Sequence, residues 1–158
     1  MATMAGTQKD LVDLLNNLIE LDYDTIEAYR AAIQRLSVPS DQDQLRQFME
    51  DHRRHVDDLS RIVQDLGAQP SSGADFKQVL TKGKVVIGQI SGDRGILEAM
   101  KSNEDDTNRA YERAVPQAGL PSNVRTILEG NLGDERRHRT WLEQRIAADQ
   151  TQPTAPRL

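Results

Sequence analysis

Apolar residues in this chain recur at alternating steps of three and four over long stretches, the signature of one buried face on an α-helix. Leu11, Leu15 and Leu18 open such a stripe and Ala32 and Leu36 close it, so a first helix is predicted from Gln8 to Leu36. It ends ahead of Ser37-Val38-Pro39. Ser40 is predicted to cap a second helix, carried by Leu45, Phe48, Leu59 and Ile62 and stopped after Leu66 by Gly67. Leu97, Met100 and Ala114 carry a third, predicted to follow Ser91-Gly92-Asp93 and to run to about Val115. Leu128 and Leu142 carry a fourth, from a Ser122 cap to Asp149. Gln69-Pro70-Ser71-Ser72-Gly73 is a clear break, and Asp75 to Ile90, with Gly83 and Gly88 inside it, reads as a weaker, shorter helix.

The connections set the expected topology. Short turns join the first helix to the second and the third to the fourth, which makes two antiparallel hairpins, while the long stretch from 67 to 92 leaves room for a crossover. The expected fold is all-α: an antiparallel four-helix bundle of two hairpins, joined by a long crossover containing a short helix. Residues 1–7 are expected to be a flexible N-terminus, 8–149 the bundle, and 150–158 a disordered tail containing Pro153 and Pro156.

Each stripe is interrupted near mid-helix by polar residues. The first helix continues its apolar spacing through Asp22, Thr25 and Tyr29, and the third through Glu104, Thr107 and Tyr111. The second places His52 and His55 on its inward face, and the fourth Asn131, Glu135 and His138. These positions form a repeat. Asp51-His52-Arg53-Arg54-His55 is echoed by Asp134-Glu135-Arg136-Arg137-His138, and the Asp/Glu-Thr-Tyr spacing occurs once before each. Two hairpins facing each other across one shared centre would produce that pattern.

Composition narrows the choice of chemistry. Aromatic residues make up 4% of the chain and charged residues 28%, so the core is expected to be a thin aliphatic seam. A net charge of −5 with interspersed signs argues against a nucleic-acid footprint, which needs a basic patch. Without cysteine there are no disulfides, iron–sulfur clusters or thiolate ligands. The stretch from Met1 to Gln8 lacks the pattern of a signal peptide, and no run reaches the about 18 apolar residues of a membrane span. A cytoplasmic protein is expected.

Three carboxylates (Asp22, Glu104 and Glu135) and three imidazoles (His52, His55 and His138) are thus expected to converge. Buried carboxylates are costly to desolvate and repel one another, and a divalent ion relieves both penalties. Oxygen and imidazole ligands suit iron, manganese or zinc. The competing expectation is an ion-pair network without metal, in which Asp22 pairs with a protonated His52. Asp24 or Glu27 could replace Asp22 if the register slips, and Glu50 and Asp51 are reserve acids on the second helix. Tyr29 and Tyr111 are expected to bond carboxylates across the bundle. Arg53, Arg54, Arg136 and Arg137 are expected to form solvated pairs with Asp57, Asp58, Asp105 and Asp106. Lys82-Gly83-Lys84 lacks the spacing of a phosphate loop, and Trp141 reads as a packing residue.

Taken together, these residues resemble the ferritin-like superfamily, which includes bacterioferritins and rubrerythrins, and the layout is similar to that of bacterial ferritin-like proteins of unknown function. The superfamily places a Glu on helices one and three and Glu-x-x-His on helices two and four. Glu104, Glu135, His138 and His55 match; Asp22 stands where the family has Glu, and His52 replaces the helix-two Glu. The resemblance implies iron, one or two ions, with manganese or zinc as alternatives, and an oxidase or ferroxidase-like activity linked to oxidative stress. A homodimer is the expected assembly. Histidine does not ordinarily bridge two ions as that glutamate does, so a single ion, an asymmetric pair, zinc or a lapsed site all stay open. The alternative function is a non-catalytic stress or assembly protein with a metal-free polar core.

Overall fold

The computed structural model describes residues 5–73 and 87–151, and among these the secondary structure is entirely helical. Four long helices are present: α1 (Leu11–Arg35), α2 (Pro39–Asp65), α3 (Asp93–Ala114) and α4 (Ser122–Thr151). The short helix expected at 75–90 falls mostly outside the described residues, as do residues 152–158 of the expected tail. No helix among the described residues is long and apolar enough to cross a membrane.

Helix ends follow local chemistry. The first helix starts three residues later than expected because Asp10 caps it, its carboxylate accepting the Asp13 N–H at 3.0 Å. At the second, Pro39 takes the first helical position in place of a Ser40 cap, since its missing N–H would be an orphan there. The carboxylate of Asp93 accepts the N–H groups of Ser37 and Val38 at 3.0–3.2 Å, tying the α1–α2 turn to the start of α3. Gly67 ends α2 in the left-handed region, with φ of 76°. There Ala68 N–H reaches back to the Val63 carbonyl at 3.1 Å. Gly6 also has positive φ, and its missing Cβ matters: a Cβ would lie 2.0 Å from the Ala110 carbonyl oxygen. The N-terminal segment is thereby docked on α3, and Ala5 is buried.

Packing contacts join α1 to α2, α3 to α4, α1 to α3, and, most sparsely, α2 to α4. Two apolar clusters lie at opposite ends of this arrangement. One gathers Leu14, Leu15 and Leu18 of α1, Leu59 and Val63 of α2, Ala114 of α3 and Leu128 of α4. The other gathers Ala32 and Ile33 of α1, Leu45 and Phe48 of α2, Leu97 and Met100 of α3, and Leu142 of α4. Each helix therefore crosses from one cluster to the other, and every packed pair runs antiparallel. Between the clusters lies a layer of buried polar groups. A further pair closes the outer end: Arg145 Nε donates to both oxygens of the buried Asp41, at 2.9 and 3.0 Å.

Leu59 is fully buried, whereas Leu66 is 47% exposed. Leu59→Ala should cost about 2–5 kcal/mol, because the surrounding helices close only part of the cavity. Leu66→Ala should stay within about 0.5 kcal/mol. Urea midpoints of the two variants check both values.

Candidate metal centre

The polar layer contains all six residues expected from the sequence. Asp22, His52, His55, Glu104, Glu135 and His138 are each 0% exposed, held at mid-length of helices whose apolar flanks fix their facing. They fall into two overlapping groups: Asp22, His52, His55 and Glu135, and His52, Glu104, Glu135 and His138. Within each group one ligand atom per residue lies within 4.8 Å of all the others. The reserve acids are in neither group, although Asp51 contacts His138 from outside. Glu27 pairs with Arg30 and Glu50 with Arg53, and Asp24 belongs to neither group.

At the centre, His52 Nδ1 is 2.8 Å from Asp22 Oδ1, and its Nε2 is 3.3 Å from Glu104 Oε1. Glu135 Oε1 lies 3.4 Å from His52 Nδ1 and 3.2 Å from His55 Nδ1. These are close ionic contacts but lack the alignment of hydrogen bonds. Tyr111 Oη donates to Asp22 Oδ2 at 2.6 Å, and Tyr29 Oη donates to Glu104 Oε1. Each tyrosine thus holds the acid of the other hairpin, as expected. Thr107 Oγ1 adds a bond to Glu104 Oε2 at 3.3 Å. Asn108, unforeseen in the sequence, donates through Nδ2 to the Glu104 and Glu135 carbonyls at 2.7 and 3.0 Å and locks α3 against α4.

An outer layer surrounds the histidines. His55 Nε2 meets Asp134 Oδ2 at 3.1 Å, and His138 Nε2 meets Asp51 Oδ2 at 2.9 Å. The first residue of each repeat therefore orients the last residue of the other. Arg54 bonds both Asp51 and Asp134, and so does Arg137. This corrects the expected arginine pairing. Arg54 and Arg137 brace the outer carboxylates, while Arg53 pairs with Glu50 and Arg136 lies 3.5 Å from Glu112. Asp134 had no assigned role in the sequence, although its place in the repeat marked it. With Nε2 held outward by an aspartate, His55 and His138 each turn Nδ1 toward the interior.

Electrostatics follow from this burial. Desolvation alone would lower the histidines, but the surrounding carboxylates overcome it. Glu135, Asp22 and Glu104 push His52 up to about 10, and Asp134, Asp22 and Glu135 push His55 up to about 12. Burial would raise Asp22 and Glu104, yet hydrogen bonds from the histidines hold both below the ordinary carboxylate range. Glu135 goes the other way: burial raises it, and the attraction of His52 does not offset this. Burial also holds Tyr29 and Tyr111 well above 10, so both remain hydrogen-bond donors.

Four inward-facing atoms have no hydrogen-bond partner: His55 Nδ1, His138 Nδ1, and both carboxylate oxygens of Glu135. Buried polar atoms are rarely left so. Imidazole nitrogen and carboxylate oxygen are donors that iron, manganese and zinc accept. The buried acids and histidines could therefore hold a metal, and they are also ion-paired to one another.

Residues 10–117, more than half of the chain, match the family model described as Domain of unknown function (DUF2383). The chain belongs to that family. The match spans α1, α2 and α3 and stops before α4, the helix that carries Glu135 and His138. No curated protein and no solved structure matches the chain. The family description carries no function, so the chemistry of this member must be read from its own polar layer.

Without metal, these shifts give the protein a definite pH profile. The His52 and His55 values lie above the unfolded value of 6.5, so their stabilisation is full below about pH 6.5 and is lost as pH rises through 10 and 12. Asp22 and Glu104 are lowered, so their stabilisation is present above their ordinary values and is lost as pH falls below them. Metal-free protein should thus lose stability in acid, as Asp22 and Glu104 are protonated, and again above about pH 6.5, with Glu135, raised by burial, adding to the loss as pH rises; urea midpoints in EDTA should fall steadily from about pH 6.5 toward about pH 10.

Proposed function

We propose that this DUF2383 protein is a ferritin-like four-helix bundle that binds one or two transition-metal ions in its polar layer. Asp22, His52, His55, Glu104, Glu135 and His138 supply the ligands. The observation that carries this reading is the set of four unpartnered inward atoms on His55, His138 and Glu135. The imidazole nitrogens nearest Glu135 Oε1, at 3.2 and 3.4 Å, are not aligned to donate to it, whereas an ion-pair network evolved for its own sake would align them. Iron is the first expectation, with manganese or zinc as alternatives. Bound iron would supply oxidation of Fe(II) by oxygen or peroxide, a protective chemistry under oxidative stress.

The protein's own contribution is positional. Asp22 and Glu104 are held by Tyr111 and Tyr29, so their remaining lone pairs face the centre. Asp134 and Asp51 hold His55 and His138 with Nδ1 inward. Burial excludes water from the ligand set and strengthens every charge interaction within it. The homodimer and the cytoplasmic location belong to the same proposal; sedimentation analysis decides the first.

A second reading has an observation of its own. His52 Nδ1 and Asp22 Oδ1, at 2.8 Å, already make a good charge-assisted pair without any ion. In that reading the protein is a non-catalytic stress or assembly bundle whose polar layer sets helix register.

Metal analysis of protein purified without chelator separates the two. Near-stoichiometric iron, manganese or zinc is expected in the wild type, and its loss in the His55→Ala, His138→Ala double variant. Chelator should also lower the melting temperature, because an ion at about 100 times its Kd stabilises the fold by about 2.7 kcal/mol. Metal-free wild type with a melting temperature indifferent to chelator and to added metal would leave only the ion-pair network.

A further inference from the structure

The repeat breaks at one pair of positions, His52 against Glu135, and these are the two residues that both candidate groups share. Their surroundings differ from those of the other ligands. His55 and His138 each turn one nitrogen outward, to Asp134 and Asp51, and can offer only Nδ1 to the interior. His52 has no such outward partner. Its Nδ1 faces Asp22 and Glu135 at 2.8 and 3.4 Å, and its Nε2 faces Glu104 at 3.3 Å. The ring is also centred between the other two imidazoles, with centroids 5.4 Å from His55 and 5.2 Å from His138. One face of the polar layer is thus an imidazole with both nitrogens turned inward; the other is a carboxylate with both oxygens unpartnered.

We propose that His52 is a bridging ligand, binding one divalent transition-metal ion through Nδ1 and a second through Nε2, with Glu135 as the second bridge. This rests on the metal-centre reading above and adds to it the number of ions and the atoms that link them. The first ion takes Asp22, His55, Glu135 and Nδ1 of His52. The second takes Glu104, His138, Glu135 and Nε2 of His52. Each set has two nitrogens and two oxygens, a donor balance that suits zinc and ferrous iron better than the oxygen-rich sets preferred by harder ions. Forming the bridge replaces the ring protons of His52 by the two cations, and the protons pass to the buffer.

Zinc is the probe, because it is diamagnetic and has no redox chemistry. Metal-free protein labelled with 15N at histidine is titrated with zinc, and the imidazole nitrogens are followed by 1H–15N correlation; a 17.7 kDa chain is well within reach. Two equivalents should bind. At saturation both His52 nitrogens should move to metal-bound shifts with no ring N–H left, while His55 and His138 each move only Nδ1 and keep the Nε2–H donated to aspartate. His52→Gln, which cannot offer two ring nitrogens, should drop the stoichiometry from two to one. If that variant does not fold, the wild-type spectrum still decides. A ring N–H retained on His52 at saturation, binding of a single equivalent by the wild type, or two equivalents retained by folded His52→Gln would each overturn the bridge while leaving a metal centre in place. No zinc binding at all would overturn the metal-centre reading and the bridge together.

Discussion

Opposite charge held at contact distance, away from water, is the interaction on which this structure depends. Taking even one carboxylate out of water is costly unless a partner repays it. Here three carboxylates and three imidazoles share one layer, with helices packed so that each acid has a cationic or hydroxyl neighbour. The apolar clusters above and below do the ordinary work of holding helices together. They also fix the heights at which the ionisable groups must meet. A helix sliding by one turn would leave its aliphatic contacts largely replaceable but would strand a charge.

Much of the partnership in that layer runs between the halves of the chain. Tyr29 serves the acid of the third helix and Tyr111 the acid of the first. Asp51 serves His138 and Asp134 serves His55, with Arg54 and Arg137 spanning both outer carboxylates. Within the first hairpin His52 also pairs with Asp22, but each tyrosine and each outer aspartate finds its partner in the other half. The weakest packing, between α2 and α4, is where these outer ion pairs concentrate, so electrostatics reinforce the seam that apolar contact leaves thin.

The helices and the six inward residues were legible because both obey a helical period, and a period survives small errors at helix ends. Those errors have simple causes: Asp10 caps the first helix beyond the start expected at Gln8, and Pro39 takes the first turn of the second ahead of the cap expected at Ser40. The outer layer was not legible in the same way. Asp134 and Arg137 lie off the apolar stripe, where a charged residue ordinarily means solvent, and only the contact between α2 and α4 shows what they hold. Asn108 escaped for a related reason. Its side chain bonds backbone carbonyls rather than other side chains, so no pairing of residue types along the chain announces it.

The exchanged partnerships have a consequence for symmetry. Two identical hairpins, meeting about a two-fold axis as separate molecules, could make each of the exchanged bonds equally well: tyrosine to acid, and aspartate to histidine. They could not place an imidazole on one side of the centre and a carboxylate on the other, because any residue on one hairpin would recur on its mate. Two unlike halves, carried here on one chain, are needed to set His52 against Glu135. What covalent continuity gives this protein is therefore a handed centre, with two chemically different faces inside an otherwise repeated frame.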